Sequence, residues 1–276
     1  MLKRLFFFIL IVLLIAFGYY FFTINKRKSD LIKTELEEKK IDSVTTANKV
    51  HLDYLFPKFN TNQVVHHLKY SFSYNEDGEQ AEWVAYKIFK NSIHNAVKRQ
   101  DDFKEDTAVL TGSATLQDYR NSGYDRGHLA PAKTMSFSKQ TMSESFYMSN
   151  MSPQKPSFNR GVWKKLEEEV RSWISMSDSL YVVTGPILKK PLGRIGENQV
   201  VVPSYYYKTI LRFKDKKIFG IGFLLKNEKS NKKPSSFTVS IDSIEKITGL
   251  NFFYRLDSRI QNKLEMNSNY QLFLQK

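Results

Sequence analysis

The longest apolar stretch of the chain lies at its N-terminus. Residues Leu5 to Phe22 are apolar apart from Gly18 and two tyrosines, and basic residues flank both ends. As a helix this run would be about 27 Å long, close to the thickness of a bilayer core. We therefore expect a membrane anchor over residues 1–28. A cleaved signal peptide is the alternative, but no small-residue cleavage site follows the apolar core.

The pattern changes twice before the globular part of the chain begins. Residues 29–50 are polar and mix acidic and basic side chains at helical spacing, which predicts a solvated stalk helix and a linker. From residue 51 onward, segments dense in β-branched and aromatic residues alternate with turn-forming clusters. We expect one domain over residues 51–257. Residues 258–276 are expected to form a polar C-terminal tail.

The order of these segments indicates the fold class. Strands and helices do not alternate as a βαβ array requires, which favours an α+β fold with a largely antiparallel sheet. Ser240 is a good N-cap for the second predicted helix and Gly249 a good stop. The predicted strands are Trp83–Phe89, Leu180–Thr184, Gln199–Phe213 and Lys217–Lys226, and the predicted helices are Asn159–Met176 and Ile241–Thr248.

Charge and composition narrow the chemistry. The chain of 276 residues has 42 Lys and Arg against 28 Asp and Glu, a formal net charge of +14. Such an excess favours polyanionic partners, either nucleic acid or anionic lipid. The chain has no Cys, which excludes a disulfide framework, a Cys-ligated zinc site and a thiol nucleophile.

One short segment carries most of the candidate chemistry. Residues 124–132 read YDRGHLAPA, a sequence too broken by Gly and Pro to form a helix. Arg126 can hold a phosphate through two parallel hydrogen bonds, and His128 can move a proton near neutral pH. A second polar cluster, SNMSPQ, follows at residues 149–154, and Asn159 then opens a charged helical pattern.

Taken in order, these motifs resemble those of a known family. DRGHLAPA, SNMSPQ and FNRGVW are similar to the motifs of the DNA/RNA non-specific endonucleases, the ββα-metal nucleases that include mitochondrial endonuclease G. With weaker similarity on both sides, the resemblance covers roughly residues 68–255. It implies a ββα-metal nuclease fold and a phosphodiester hydrolase that acts on both DNA and RNA.

The resemblance also implies roles for individual residues. His128 corresponds to a general base that activates water, and Asn159 to the residue that holds Mg²⁺, with Mn²⁺ or another divalent ion possible. Glu167 lies two turns beyond Asn159 and corresponds to an acidic residue that acts at the metal and stabilises the departing oxygen through water. Read without the family, Asn159 is more simply a helix cap, and Glu167 a solvated carboxylate.

The remaining predictions concern the binding of substrate. Arg126 is expected to contact phosphate, unless it forms a structural pair with Asp125. Asn150 and Gln154 are expected either to position the His128 loop or to bind phosphate, with ordinary turn residues as the alternative. Arg99 is the nearest candidate for a second phosphate-binding arginine that the family carries upstream.

Two other functions remain compatible with the sequence. The chain could be a membrane-tethered nucleic-acid-binding protein with an inactive nuclease fold, or a phosphodiesterase or phosphatase on small substrates. The basic flanks of the apolar run do not fix its orientation. A non-specific nuclease would degrade its host's nucleic acid from the cytoplasmic side, so we expect the domain outside the cytoplasm, periplasmic or extracellular. The sequence indicates neither an oligomeric state nor a protein inhibitor.

Overall fold

The structure is a computed structural model, and it describes residues 56–58, 63–90 and 97–275. These residues belong to one compact unit. The predicted anchor, stalk and linker at residues 1–50 lie outside the described residues. Within the described part of the chain, no helix has both the length and the apolar character needed to cross a membrane.

A seven-stranded sheet organises the domain. Its strand order is β1-β2-β3-β6-β9-β10-β11, and every neighbouring pair is antiparallel. The largely antiparallel sheet expected from the sequence is therefore confirmed. The strands are β1 (Val64–His66), β2 (Tyr70–Asn75), β3 (Gln80–Phe89), β6 (Ser179–Ile187), β9 (Tyr205–Lys214), β10 (Lys217–Lys226) and β11 (Thr238–Val239).

Two small antiparallel pairs lie outside this sheet. Strand β4 (Asp125–His128) pairs with β5 (Met151–Gln154), and β7 (Gly193–Ile195) pairs with β8 (Val200–Val202). The first pair joins the two sequence motifs, DRGH and MSPQ, in one ribbon. In its register Asp125 faces Gln154 and His128 faces Met151.

The helices are short and lie on both faces of the sheet. One face packs on Trp163, Leu166 and Val170, and the other on Ile241, Ile244 and Leu264. The α-helices are α1 (Leu116–Tyr119), α2 (Lys139–Glu144), α3 (Pro156–Phe158), α4 (Lys164–Ser172), α5 (Ile241–Thr248), α6 (Ser258–Glu265) and α7 (Tyr270–Phe273).

The predicted elements agree with the structure where local signals are strong. Strand β10 has the predicted limits, and so does α5, which Ser240 caps and Gly249 ends in the left-handed conformation. The strand predicted over Gln199–Phe213 is divided, because Pro203 has no N–H to donate and the chain changes sheets there. The predicted helix Asn159–Met176 begins with an irregular turn, Asn159–Trp163, before α4.

The chain beyond Asp257 differs from the expected polar tail. It folds into α6 and α7, and Phe273 is fully buried. The carbonyl oxygen of Phe273 accepts a hydrogen bond of 2.8 Å from Nε of Arg212, a residue that is itself buried in β9. The sequence signal was weak because the buried face of this segment has few apolar side chains, and most of its residues are exposed and polar.

Candidate active site

A cleft of about 810 Å³ opens beside the β4–β5 ribbon and the start of α4. It brings together five of the predicted site residues, and most of the charged residues in its lining are basic. Such a lining attracts a polyanion and focuses its phosphates into the cleft. The predicted residues in the lining are Arg99, Arg126, His128, Asn159 and Glu167; the other basic residues are Arg120, Lys133, Arg160, Lys164 and Arg171.

His128 ends strand β4 between two aromatic rings. Phe146 meets the imidazole edge-on, with ring centroids 4.9 Å apart and planes at 88°, and Phe103 lies at 5.9 Å. Burial, reinforced by the charges of Arg99 and Arg126, lowers the pKa of His128 to about 3. The imidazole is therefore neutral near pH 7, and its buried Nε2 is left without a hydrogen-bond partner among the described residues.

The two arginines each stack on one of the two aromatic rings that flank His128. The guanidinium of Arg126 lies 4.2 Å above the centre of the Phe103 ring, and that of Arg99 lies 4.9 Å above Phe146. Arg99 also forms an exposed ion pair of 2.6 Å with Asp101. Stacking holds a guanidinium by its face and leaves its N–H edge available to an anion. Both arginines therefore border the cleft beside His128 in a geometry suited to phosphate.

The alternative role for Arg126, a structural pair with Asp125, is wrong. Asp125 accepts instead from Arg160, with 2.7 Å to Nη2 and 2.9 Å to Nε, and from Nδ2 of Asn159 at 2.9 Å. The side chain of Arg126 is exposed. In an extended strand, neighbouring side chains point to opposite faces, so Asp125 and Arg126 cannot meet easily.

Asn159 lies in the irregular turn that precedes α4, where Gly161 leaves the helical conformation. Its side chain does not cap a helix, since its amide nitrogen donates to Asp125. This contact uses only the amide nitrogen, and Asn159 lines the cleft. A neutral, hard oxygen in a cleft with a nearby carboxylate suits a divalent cation such as Mg²⁺. The residues present therefore fit the metal that the sequence implies.

Glu167 reaches the cleft from the first turn of α4 and is half-buried. Burial raises the pKa of its carboxyl group, and the neighbouring charges of Lys208 and Arg171 oppose that rise. Lys208 is fully buried in β9, where Nζ donates to Oγ1 of Thr184 at 3.1 Å and lies 4.5 Å from the centre of the Trp163 ring. The reading of Glu167 as a plain solvated carboxylate does not fit this environment.

Asn150 holds the loop after His128 in place and does not line the cleft. It is fully buried, and its side chain bonds only to backbone groups of Ala130 and Ser145. The backbone carbonyl of Asn150 also accepts from the N–H of Leu129 at 3.0 Å. Asn150 thus fixes the chain immediately after His128. The expected contact with substrate is corrected to a positioning role, because a buried side chain with its polar groups satisfied cannot reach a ligand.

Gln154 is also fully buried and does not line the cleft. Its side chain lies over Gly127, in the space that a Cβ atom at Gly127 would fill. Neither polar atom of its amide has a hydrogen-bond partner among the described residues. The expected contact of Gln154 with phosphate is therefore corrected as well, since the residue packs inside the β4–β5 ribbon.

Several residues of the site were not predicted. A signal for Lys208 was available, because a single Lys inside the apolar strand YYYKTIL needs a buried partner. The aromatic pair Phe103 and Phe146 and the Asp125–Arg160 pair join residues 35 or more positions apart and leave no local pattern.

A separate acidic group lies far along the chain from the cleft residues. Oxygen atoms of Asp242, Glu245 and Glu265 lie within 4.8 Å of one another on α5 and α6. Gln261 donates to Glu265 at 3.0 Å, and the N–H of Phe252 donates to Glu245 at 2.6 Å. These helices pack on the face of the sheet opposite to α4. The group is therefore not part of the cleft.

Comparisons with known proteins agree with this geometry. Residues 48–259 match the sequence profile of the DNA/RNA non-specific endonucleases. The chain is 31% identical to a nuclease of Nostoc sp. over 210 residues, which cover 71% of this chain and 75% of the relative. It is 36% identical to nuclease C1 of Cunninghamella echinulata over 205 residues, covering 68% and 81%.

Human mitochondrial endonuclease G is 33% identical over 198 residues, which cover 66% of this chain and 67% of the relative. A chain of the crystal structure of the EndoG/EndoGI complex, a study of EndoG inhibition, aligns with a TM-score of 0.69 and 33% identity. That alignment covers 75% of this chain and 91% of the solved one. With the DRGH and Asn159 elements assembled around one basic cleft, this nuclease belongs to the DNA/RNA non-specific endonuclease family.

Proposed function

We propose that the cleft hydrolyses phosphodiester bonds of DNA and RNA without sequence preference, with His128 as the general base. The observation that carries this proposal is the environment of Nε2. This nitrogen is buried and has no hydrogen-bond partner among the described residues, and the imidazole lines a cleft bordered by arginines. A base must meet its proton within hydrogen-bond distance, and an imidazole of the cleft lining that has an unpaired nitrogen can meet that need.

The charge state of His128 supports the same role. Because its pKa is lowered to about 3, the imidazole is neutral at pH 7, and the one of its two nitrogens that carries no proton can take one from an attacking water. A bound phosphodiester would add negative charge beside the ring and raise that pKa. Proton uptake is thus easier when substrate is present than in the free protein.

Arg126 and Arg99 would hold the scissile and neighbouring phosphates. Their aromatic supports, Phe103 and Phe146, limit their motion and keep both charges at the cleft. Contacts to phosphate carry no sequence information, which agrees with a substrate set of both DNA and RNA.

The amide oxygen of Asn159 would hold the divalent metal, Mg²⁺ or alternatively Mn²⁺, with Glu167 close by in the same cleft. When bound, such an ion supplies positive charge that stabilises the developing charge of phosphoryl transfer and the departing oxygen. Asp125 keeps the Asn159 amide oriented, since its carboxylate accepts from the amide nitrogen. Lys208 holds a positive charge behind Glu167.

The test is digestion of plasmid DNA and of a long RNA with Mg²⁺ and with EDTA. We expect both polymers to be cut internally with Mg²⁺ and to stay intact with EDTA. Binding of both polymers without any cleavage would favour the inactive nucleic-acid-binding alternative. Rapid hydrolysis of a small phosphodiester that long DNA fails to inhibit would favour the small-substrate alternative.

The membrane topology is a separate proposal. We infer that residues 1–28 remain attached as an anchor and that the domain lies outside the cytoplasm, where it cannot reach the host's own nucleic acid. Protease added to intact cells or spheroplasts should digest the domain. Protection until lysis would reverse the orientation, and a soluble form beginning near Thr23 would identify a cleaved signal peptide.

A further inference from the structure

Asp125 and Asn159 lie side by side at the proposed metal site, but only one of them is available to a cation. Both carboxylate oxygens of Asp125 are occupied: Oδ1 by Nη2 of Arg160 at 2.7 Å, and Oδ2 by Nε of Arg160 and Nδ2 of Asn159, each at 2.9 Å. The oxygen of Asn159 accepts no hydrogen bond within the described part of the chain. The carboxylate of Asp125 is thus engaged in hydrogen bonds, while the amide oxygen of Asn159 is available to a cation.

This arrangement needs an explanation, because a carboxylate is the stronger ligand. The number of charged ligands changes the affinity of protein sites for divalent cations by orders of magnitude. Mg²⁺ gives up its waters reluctantly and is held in many enzymes by few protein ligands. An uncovered Asp125 would compete with Asn159 for the ion and hold it more tightly. The two-pronged contact of Arg160 removes that competition, since an Arg–carboxylate fork satisfies both oxygens at once.

Arg160 is well placed for this task and has no other described partner. Its side chain is 72% exposed and that of Asp125 is 16% exposed, so the arginine covers the carboxylate from the solvent side. The pair is too exposed at Arg160 to stabilise the fold substantially. Lys164 offers a natural comparison, because it lines the same cleft but pairs at 3.9 Å with Glu168 instead.

We propose that Arg160 limits the affinity of the site for a divalent metal by occupying Asp125, so that the cation is held by the neutral oxygen of Asn159. This inference rests on the proposed function of the cleft. Arg160 is a positioning residue here, since it acts on the ion through Asp125. Replacement of Arg160 would convert a weak metal site, in which the Asn159 amide is the ligand, into a tighter site in which the Asp125 carboxylate is the ligand.

The test compares Mn²⁺ affinities of the full chain without substrate, measured by electron paramagnetic resonance of the free ion. We expect Arg160→Gln to bind Mn²⁺ about tenfold more tightly than the wild type. Lys164→Gln removes the same charge from the same cleft and should change the affinity by less than about threefold. Arg160→Lys keeps the charge but cannot contact both carboxylate oxygens at once, and its Mn²⁺ affinity should lie between those of the wild type and Arg160→Gln.

The double variant Asp125→Asn with Arg160→Gln decides between the two physical causes. If the freed carboxylate tightens binding, this variant loses the gain and returns to the wild-type affinity within about twofold. Retention of the full gain would overturn the proposal, because the effect would then be the loss of positive charge alone. Equal affinities of Arg160→Gln and Lys164→Gln would overturn it as well.

A failure of this inference can be told apart from a failure of the proposed function. Wild-type protein that cuts plasmid DNA and binds Mn²⁺, while Arg160→Gln binds no more tightly than Lys164→Gln, contradicts only the role of Arg160. Wild-type protein that neither binds Mn²⁺ nor cuts DNA contradicts the function itself, and with it this inference.

Discussion

The side chain of Gln154 occupies the space in which Gly127 lacks a Cβ atom. A Cβ built on Gly127 would overlap Cγ, Cδ and Oε1 of Gln154. Gly127 does not adopt a positive φ, so the glycine is required by this close approach and not by its backbone conformation. Because His128 is the next residue in β4, the contact couples the packing of the β4–β5 ribbon to the position of the imidazole.

We expect Gly127→Ala to lower both stability and activity. The new methyl group must displace Gln154 or shift β4, and overpacking of this kind costs about 1–3 kcal/mol. The melting temperature should fall, and cleavage should fall further than stability explains because His128 moves with the strand. Thermal melting and initial rates on plasmid DNA measure the two effects.

Gln154→Ala provides the matched control for that prediction. Alone it should have a small effect on cleavage, since Gln154 does not line the cleft. Combined with Gly127→Ala it removes the overlap, so the double variant should recover most of the lost activity. A double variant as inactive as Gly127→Ala would show that the glycine matters for another reason.

His128→Ala should abolish cleavage while leaving nucleic-acid binding nearly intact. Loss of a general base lowers the rate by about 10²–10⁴, whereas the arginines that attract phosphate remain. Initial rates and a gel-shift titration separate the two properties. His66→Ala, which alters a histidine of β1 that does not line the cleft, should cut at the wild-type rate. More than half of the wild-type activity in His128→Ala would rule out its assignment as the base.

The lowered pKa of His128 predicts an unusual pH profile. The base must be neutral, and a pKa of about 3 in the free enzyme keeps it neutral down to about pH 5. kcat/KM at saturating Mg²⁺ should therefore show no loss from His128 between about pH 8 and pH 5. Bound phosphate raises the pKa in the complex, so kcat should fall at a higher pH than kcat/KM. A His128 NMR titration centred near its ordinary pKa would contradict this account.

Asn159→Ala should weaken metal binding and activity together. The side chain does not cap a helix, so the variant should lose little stability, less than the roughly 1 kcal/mol of a missing cap. Mn²⁺ affinity and the Mg²⁺ dependence of cleavage test the two effects. A variant that melts earlier but cuts normally at saturating metal would leave Asn159 a structural role only.

The sequence predicted those parts of the fold that local signals determine. Strand β10 and helix α5 follow from runs of apolar residues bounded by Gly, Ser and charged clusters. The break between β8 and β9 was missed, although Pro203 lies at it, because the flanking residues form one continuous β-like pattern. Periodicity alone cannot show where a chain leaves one sheet and joins another.

The residues of the site also divide into those that local motifs predict and those that only tertiary contacts reveal. The sequence placed His128, Arg126 and Asn159 together because their motifs are contiguous, and all three line the cleft. The two-pronged contact between Arg160 and Asp125 joins residues 35 positions apart, and the charge of Lys208 in strand β9 acts on Glu167 in helix α4. Such pairs depend on tertiary packing, which brings the β4–β5 ribbon against α4. Arg99 was uncertain from spacing alone, and the ring of Phe146 accounts for its position at the cleft.

Glu265 provides a test of stability that is independent of catalysis. Burial raises its pKa to about 7, and the nearby carboxylates Glu245 and Asp242 add to the rise, while a hydrogen bond from Gln261 opposes it. The folded pKa exceeds the ordinary value of 4.5, so the folded state favours the protonated group. Its contribution to stability is therefore complete below about pH 4.5 and is lost as the pH rises through about 7.

Glu265→Gln should remove this dependence, because the amide is neutral at every pH and keeps an oxygen for Gln261. At about pH 8 we expect the variant to melt about 2–4 °C above the wild type, and the difference should vanish near pH 4.5. Glu197→Gln, at an exposed position, should change the melting temperature by no more than about 1 °C at either pH. Thermal denaturation across this range measures both variants. A Glu265→Gln protein less stable than the wild type at pH 8 would mean that the carboxylate is charged and favourably paired in the folded state.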